Sequence, residues 1–165
     1  MRRLLINTVI GLFLLGLLLP TSTASAGDGL VLAKGGKSDY VIVLPKAASR
    51  VEKTAAGELQ EHLGQVIGTT LPIISEADVP DGAPRIVVGF GSLAQKLIPG
   101  LEPAKLPPDT IIIKTVGDDL VLVGHPRRGA LCAVFTFLED TVGVRWWTQT
   151  ETHIPKCPDL SIPPL

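Results

Sequence analysis

Cysteine is scarce in this sequence, and its two cysteines are far apart in the chain. Cys132 and Cys157 form no CxxC motif, and no histidine stands at the spacing of a zinc ligand set. The sequence therefore lacks the signature of a zinc module or of a disulfide-dense scaffold. Two alternatives stay open. The cysteines pair in an oxidising compartment, or they remain free, with Cys132 buried and Cys157 exposed.

An excess of positive charge is also missing. The chain has 15 basic and 16 acidic residues, and the formal net charge is −1. Arg127-Arg128 is the only adjacent basic pair beyond the N-terminal segment, and no aromatic residue interleaves with it. Nucleic-acid-binding surfaces combine clustered basic residues with such aromatic residues. We therefore expect no nucleic-acid partner.

The N-terminal segment has the layout of a secretory signal peptide. Met1-Arg2-Arg3 is positive, residues 4–19 are almost wholly apolar, and Ala24-Ser25-Ala26 matches the small-x-small pattern of a cleavage site. The alternative is a membrane anchor, but this apolar run is shorter than the ~20 residues that a spanning helix needs. We expect cleavage after Ala26, a periplasmic or extracellular protein, and no stable membrane anchor after cleavage. The mature chain of 139 residues then carries a net charge of −3.

Beyond residue 27, short apolar runs alternate with two longer amphipathic helices. Ser49 and Glu52 form a capping box at the start of a helix that continues to Ile67. A second helix starts near Gly129, and its predicted core stripe is Leu131, Val134, Phe135, Leu138 and Val142. The predicted strands are 31–32, 40–44, 71–74, 85–89, 110–116, 120–124 and 144–147, and a short helix covers 93–97.

The order β-α-β-β-(α)-β-β-α-β predicts an α/β fold with a small mixed sheet and two main helices. We expect one domain over residues 27–154. The proline-rich residues 155–165 show no apolar periodicity and are interpreted as a linker.

No pattern in the sequence indicates a catalytic centre, a cofactor site or a metal site. Residues 89–92 (Gly-Phe-Gly-Ser) lie between a strand and a helix, but the third glycine and the GK[ST] ending of a phosphate loop are missing. A tight turn is the simpler interpretation. The three histidines, His62, His125 and His153, are far apart, and we expect surface or capping roles for them.

The acidic pairs also have simple explanations. Asp118-Asp119 lies in a hairpin turn, and Glu139-Asp140 lies late in a helix, as do Glu58 and Glu61 in the middle of another. A glycosidase needs two carboxylates that flank a sugar. We expect these residues to be solvated instead.

Trp146-Trp147 is the most distinctive pair in the chain. Successive side chains of a strand point to opposite faces, so one ring joins the core and the other faces outward. The outward ring packs against a neighbouring domain or stacks on a sugar. With Arg128, the two tryptophans are the candidate contact residues.

The stretch from Pro126 to Asp140, with Gly143-Val144-Arg145-Trp146-Trp147-Thr148 and Glu151-Thr152 after it, resembles the end of the small N-terminal domain of α-glucuronidases. The helix that contains Ala55-Ala56-Gly57-Glu58-Leu59 is similar to the A-A-x-E-L helix of that family, and similar domains precede the barrel in β-hexosaminidases. The match covers about residues 30–155. Cys132 stands where the family often has a tyrosine or another large residue.

The resemblance implies a function without catalysis in this chain. In such enzymes the catalytic carboxylates belong to a following (β/α)₈ barrel, so no catalytic residue is carried over to the positions present here. It also implies that Gly129, after Arg128, permits close packing of helix on sheet. The first hypothesis is the accessory domain of a secreted glycoside hydrolase, with the catalytic barrel of the same protein as its partner and residues 155–165 leading toward it. The second is a stand-alone carbohydrate-binding or scaffold module.

The layout of residues 1–26 makes a direct prediction about export. When the gene is expressed in a bacterium, the exported protein should begin at Gly27, because signal peptidase cuts after the small-x-small site. Intact-mass measurement of the exported fraction checks this. An exported protein that still carries Met1 would contradict the prediction.

Overall fold

A computed structural model describes residues 29–165, and the predicted signal peptide at residues 1–26 lies outside this range. The α/β prediction is confirmed. The helices are α1 Arg50–Ile67, α2 Ser92–Leu97 and α3 Gly129–Thr136. A 3₁₀ turn covers Pro103–Lys105, and a π-helical turn, Phe137–Val142, continues α3. The strands are β1 Leu30–Ala33, β2 Val41–Leu44, β3 Ile73–Ser75, β4 Arg85–Val88, β5 Ile111–Val116, β6 Asp119–Gly124, β7 Arg145–Trp146, β8 Thr152–His153 and β9 Leu160–Ile162.

A five-stranded mixed sheet is the centre of the fold, with the strand order β3-β2-β4-β6-β5. Strands β3, β2, β4 and β6 are parallel, and β5 pairs antiparallel with β6 across the Gly117-Asp118 turn. The predicted hairpin is therefore confirmed. Its antiparallel strand makes the sheet mixed and places β5 at one edge.

The sheet is covered on both faces because its middle strands are apolar on both sides. On one face Ile42, Ile86 and Leu122 pack with the buried residues of α1 and α3. On the other face Val87, Val121 and Val123 pack with Ala94 of α2. The fold is therefore a three-layer α/β arrangement, in which the layer that contains α2 is thin.

The start and end of α1 agree with the sequence prediction. The Ser49 amide donates to Oε2 of Glu52 at 2.7 Å, and the Glu52 amide donates to Oγ of Ser49 at 3.3 Å. Gly68 ends the helix with φ of 87°, a left-handed conformation that glycine adopts without steric cost. The capping box is therefore present with both of its hydrogen bonds.

The linker interpretation of residues 155–165 is wrong for this segment. Strand β9 pairs antiparallel with β1, with Leu30 opposite Ile162, and Leu160 and Ile162 are buried in the main core. The Cys157 amide donates to the Val66 carbonyl of α1 at 2.8 Å. Leu160-Ser161-Ile162 has the alternating pattern of a half-buried strand, but the run is short and prolines lie on both sides of it, so the sequence does not predict it.

Both cysteines are free thiols, and each is partly buried. Cys157 packs against the main core and its thiol donates to the Asp159 carbonyl at 3.2 Å. The alternative of two unpaired cysteines therefore describes the structure, although Cys132 is less buried and Cys157 less exposed than expected.

The core face of α3 is rotated from the predicted stripe. Val134, Leu138 and Val142 are buried as expected, but Phe137 is fully buried while Leu131 and Phe135 are only partly so. Apolar residues occur on most of the surface of this helix. Their spacing therefore predicts a helix but does not determine which of its sides faces the core. Phe137, rather than Phe135, is the large aromatic residue of the core.

Truncation of Phe137 should therefore destabilise the domain much more than the same change at Phe135. We expect Phe137→Ala to cost about 3–5 kcal/mol, because it leaves a cavity under α3. Phe135→Ala removes a partly exposed ring and should cost clearly less. Urea unfolding of both variants measures the difference. An equal or larger cost for Phe135→Ala would contradict the prediction.

Candidate functional site: the carboxyl edge of the sheet and the tryptophan hairpin

Ligands of open α/β sheets bind outside the carboxyl ends of the strands, where neighbouring connections leave in opposite directions. In this chain that point lies between β2 and β4. Strand β2 leads through α1 to β3 on one side, and β4 leads through α2 to β5 and β6 on the other. A cavity of about 220 Å³ lies at this edge, lined by Glu52, Phe90 and His125 among others.

The carboxylate of Glu52 occupies this switch point. Besides its capping bonds to Ser49, Glu52 accepts a hydrogen bond from the Phe90 amide to Oε1 at 2.9 Å. It thereby joins the start of α1 to the loop after β4. The sequence predicted the capping box but gave no signal of this second partner, which lies 38 residues away.

Glu76, directly after β3, joins the start of α2 to the loop after β2 in a similar way. Its Oε2 accepts from the Leu93 amide at 3.1 Å and from the Ser92 hydroxyl at 3.0 Å, and its Oε1 accepts from the Lys46 amide at 3.2 Å. Burial alone would raise the pKa of Glu76, but these hydrogen bonds outweigh it and hold the pKa below 4.5. A carboxylate of the chain therefore sits where a bound anion would sit in a phosphate loop.

The two glycines of the Gly89-Phe90-Gly91-Ser92 loop are explained by these carboxylates. A Cβ at Gly91 would lie 2.6 Å from Oε2 of Glu76. A Cβ at Gly89, whose φ is 88°, would collide with the side chain of Glu52. The glycines make room for the chain's own side chains, and this favours the tight-turn interpretation.

Arg128 lies at the carboxyl edge after β6, beside a cavity of about 330 Å³ that His125 and Arg127 also line. Its Nε donates to Oδ1 of Asp109 at 2.7 Å, and this hydrogen bond lowers the pKa of Asp109. Asp109 has a φ of 67° and is the one non-glycine residue of positive φ within residues 29–165. The pair is exposed and screened by water, so it contributes little to stability.

Gly129, the residue after Arg128, is needed for the close approach of α3 to the sheet. A Cβ at this position would lie 2.9 Å from the Thr110 carbonyl oxygen and closer still to the backbone of Gly124. The expectation that this glycine permits close packing of helix on sheet agrees with the geometry.

Trp146 and Trp147 lie in two different environments, as the alternation of a strand requires. Trp146 is partly buried and packs edge-on against Phe135 and His62, with ring centroids 5.1 Å and 5.4 Å apart. Trp147 is 65% exposed. The Trp147 amide donates to the Glu151 carbonyl at 3.0 Å, and β7 pairs with β8. We call residues 145–153 the tryptophan hairpin.

The structure does not bring the three candidate contact residues together. Arg128 precedes α3 and the tryptophan hairpin follows it, so helical backbone from Gly129 to Val142 separates them. At about 1.5 Å per residue this is roughly 20 Å. Arg128 therefore belongs to the carboxyl edge of the sheet and not to the hairpin.

One acidic residue departs from the expectation of solvated carboxylates. Asp119 is 4% exposed and forms an ion pair with Arg85. Both residues begin strands, and the alternation of β6 turns the Asp119 side chain inward. A charged residue at the start of a buried strand was the signal that the turn interpretation overlooked.

No family model matches the chain, and no curated protein matches it either. The resemblance to the N-terminal domain of α-glucuronidases therefore stays a prediction.

Within residues 29–165, no group of three acidic, histidine or cysteine side chains is placed to hold a metal ion. No helix of the same range is long and apolar enough to cross a membrane.

The hydrogen bonds of Glu76 predict a pH-dependent contribution to stability. Because its pKa is lowered in the folded protein, the contribution is present above about pH 4.5 and is lost as the pH falls through the folded pKa. Glu76→Gln should therefore lower the melting temperature at neutral pH, and the difference from the unmodified protein should shrink toward about pH 3.

Thermal unfolding followed across this pH range provides the measurement. Glu61→Gln, at an exposed position of α1, is the matched control and should leave the melting curves nearly unchanged. A destabilisation by Glu76→Gln that stays constant across the pH range would contradict the prediction.

Proposed function

We propose that this chain is the non-catalytic N-terminal domain of a secreted glycoside hydrolase of the α-glucuronidase type, and that it supports a catalytic (β/α)₈ barrel. The single observation that carries the proposal is the exposed indole of Trp147 on a hairpin that is fixed to the core. An exposed tryptophan on a rigid element is the usual anchor of an interface.

The rigidity of the tryptophan hairpin comes from the residues around it. Trp146 anchors β7 against α1 and α3 through His62 and Phe135. The Arg145 guanidinium donates to the Val144 carbonyl at 2.9 Å and also to the Glu139 carbonyl. Trp147 is therefore held outward with little conformational freedom to lose on docking, which favours binding.

The segment that carries the family resemblance folds as one continuous unit. It runs from Arg128 through α3 and the π-helical turn to β7, and buried Phe137 and Leu138 fix it to the core. The same motif thus provides both a structural base and the exposed Trp147. This supports a role in presenting a surface rather than in chemistry.

The state of the carboxyl edge supports a non-catalytic role as well. Glu52 and Glu76 are the carboxylates at the switch point, and their hydrogen bonds go to backbone amides and to the hydroxyls of Ser49 and Ser92. Carboxylates committed in this way hold loops together. A glycosidase pair would instead flank an open sugar site.

The exposure of Trp147 also favours a second candidate function. An indole face that water reaches can stack on a sugar ring, as in carbohydrate-binding modules. In that case the chain is a stand-alone carbohydrate-binding or scaffold module, and the ligand on Trp147 is a saccharide instead of a protein domain.

The coding sequence downstream of Leu165 distinguishes these functions first. The accessory-domain proposal expects the reading frame to continue into the alternating strands and helices of a (β/α)₈ barrel. A stop codon with no barrel gene nearby would contradict it and favour the module.

Tryptophan fluorescence tests the docking surface itself, because the chain has only two tryptophans. Trp146→Phe leaves Trp147 as the only reporter, and Trp147→Phe leaves Trp146. In the domain alone, acrylamide should quench Trp147 readily and Trp146 poorly. Joined to its barrel, Trp147 should become protected while Trp146 changes little. A Trp147 that is equally accessible in the two-domain protein would contradict docking, and protection by saccharide alone would favour the module.

A further inference from the structure

A second cavity lies at the other end of the sheet, where β4 and β6 begin. Its volume is about 680 Å³, which is in the range of small-molecule sites. The first residues of β1, the loop Gly82–Pro84 and the turn before β6 form its walls. It shares no lining residue with the tryptophan hairpin or with the carboxyl edge of the sheet.

Arg85 lines this cavity, and an ion pair with Asp119 holds its side chain in place. Oδ1 of Asp119 accepts from the Arg85 amide at 3.2 Å and from Arg85 Nε at 2.8 Å, and Oδ2 accepts from Nη2. Nη1 has no hydrogen-bond partner within residues 29–165, and the Arg85 side chain is 30% exposed. The ion pair therefore fixes the guanidinium while one of its donor groups stays free for a ligand.

Tyr40 adds a neutral polar group beside the arginine. Its hydroxyl donates to the Asp118 carbonyl at 3.1 Å, which leaves the oxygen free to accept. Burial, with smaller contributions from the charges of Asp118 and Asp119, raises the pKa of Tyr40 to about 12. The phenol therefore remains protonated at every physiological pH.

The charge of the lining selects the class of ligand. Arg85 and Asp119 neutralise one another, and Asp118 adds one negative charge at the rim. An anion is repelled by Asp118, and a cationic group such as an ammonium has no lone pair with which to accept from Arg85. A neutral ligand with hydroxyl groups can accept from Arg85 and donate to Tyr40 or Asp118 without either penalty.

The cavity also has an apolar wall. Val31 is 58% exposed and lines the cavity together with Ala83 and Pro84. A sugar ring presents hydroxyl groups at its edge and C–H groups on its faces, so it matches a polar floor beside an apolar wall. We propose that this cavity binds a neutral sugar, with its hydroxyls on Arg85 and Asp118 and a C–H face on Val31. The site goes beyond the proposed function and does not depend on a barrel.

Amide chemical shifts of the purified full chain test this site. Titration with glucose, maltose, cellobiose and lactose to about 50 mM, enough for millimolar affinity, should shift the amides of Gly82, Ala83, Arg85 and residues 117–119 with at least one of the three disaccharides. Glucuronate and glucosamine should bind at least about tenfold more weakly than glucose, their neutral counterpart. Asp118 repels the carboxylate, and the ammonium group cannot accept from Arg85.

Three variants separate binding from folding. Val31→Ala should weaken the sugar several-fold by removing the apolar wall. Arg85→Lys keeps a positive charge for Asp119 but loses Nη1, and should weaken it about tenfold because a charged hydrogen bond is lost. Asp118→Asn, at an exposed position, should weaken the neutral sugar a few-fold, because an amide oxygen accepts a weaker hydrogen bond than a carboxylate, and should reduce the discrimination against glucuronate. Trp147→Ala is the control and should bind like the unmodified chain.

Two results would overturn the assignment. One is the absence of shifts at residues 82–85 and 117–119 with all three disaccharides, or shifts at the tryptophan hairpin alone. The other is tighter binding of glucuronate than of any neutral sugar, which would make the cavity an anion site. Neither result bears on whether Trp147 docks a barrel, because that is measured on another surface.

Discussion

The need to cover both faces of an apolar parallel sheet shapes most of this structure. The middle strands β2, β4 and β6 bury nearly all of their side chains, so neither face can be left to water. Helices α1 and α3 cover one face, and the short helix α2 with its flanking loop covers the other. The ribbon of β1 and β9 completes the core beside the long helices. Each remaining element is positioned by this one requirement.

The connections that cover the two faces create the switch point between β2 and β4, and the chain closes it with its own side chains. Glu52 and Glu76 each bridge two loops, and Gly89 and Gly91 provide the space that they need. A crevice that binds ligands in many α/β proteins is thus used here for stability.

Local signals in the sequence were sufficient for the helices and most strands. Ser49 with Glu52 and the glycine at 68 define α1 at both ends, and the apolar runs define β2, β4 and β6. The phase of α3 was not determined, because apolar residues surround the helix and only the packing decides that Phe137 faces inward. Strand β9 was overlooked, since three residues between prolines carry too little periodicity.

The sites were harder to predict than the fold for a related reason. The alternation of Trp146 and Trp147 follows from local strand geometry and is present in the structure. The pairs Arg85 with Asp119 and Glu52 with Phe90 join residues more than 30 positions apart, and no local pattern reveals them. Only the parallel register of β4 and β6 places Arg85 beside Asp119.

The antiparallel pairing of β1 with β9 has a mechanical consequence. Leu30 lies opposite Ile162, so the outer ends of both strands lie at the same end of the ribbon. A force that pulls these two ends apart loads the hydrogen bonds of the ribbon one after another instead of all together. Tension from the C-terminal side first breaks the hydrogen bonds between Leu165 and Thr115 of β5, and the ribbon then opens one hydrogen bond at a time at low force. Tension from the flanking chain would therefore detach β1 and β9 before it separates the strands of the central sheet.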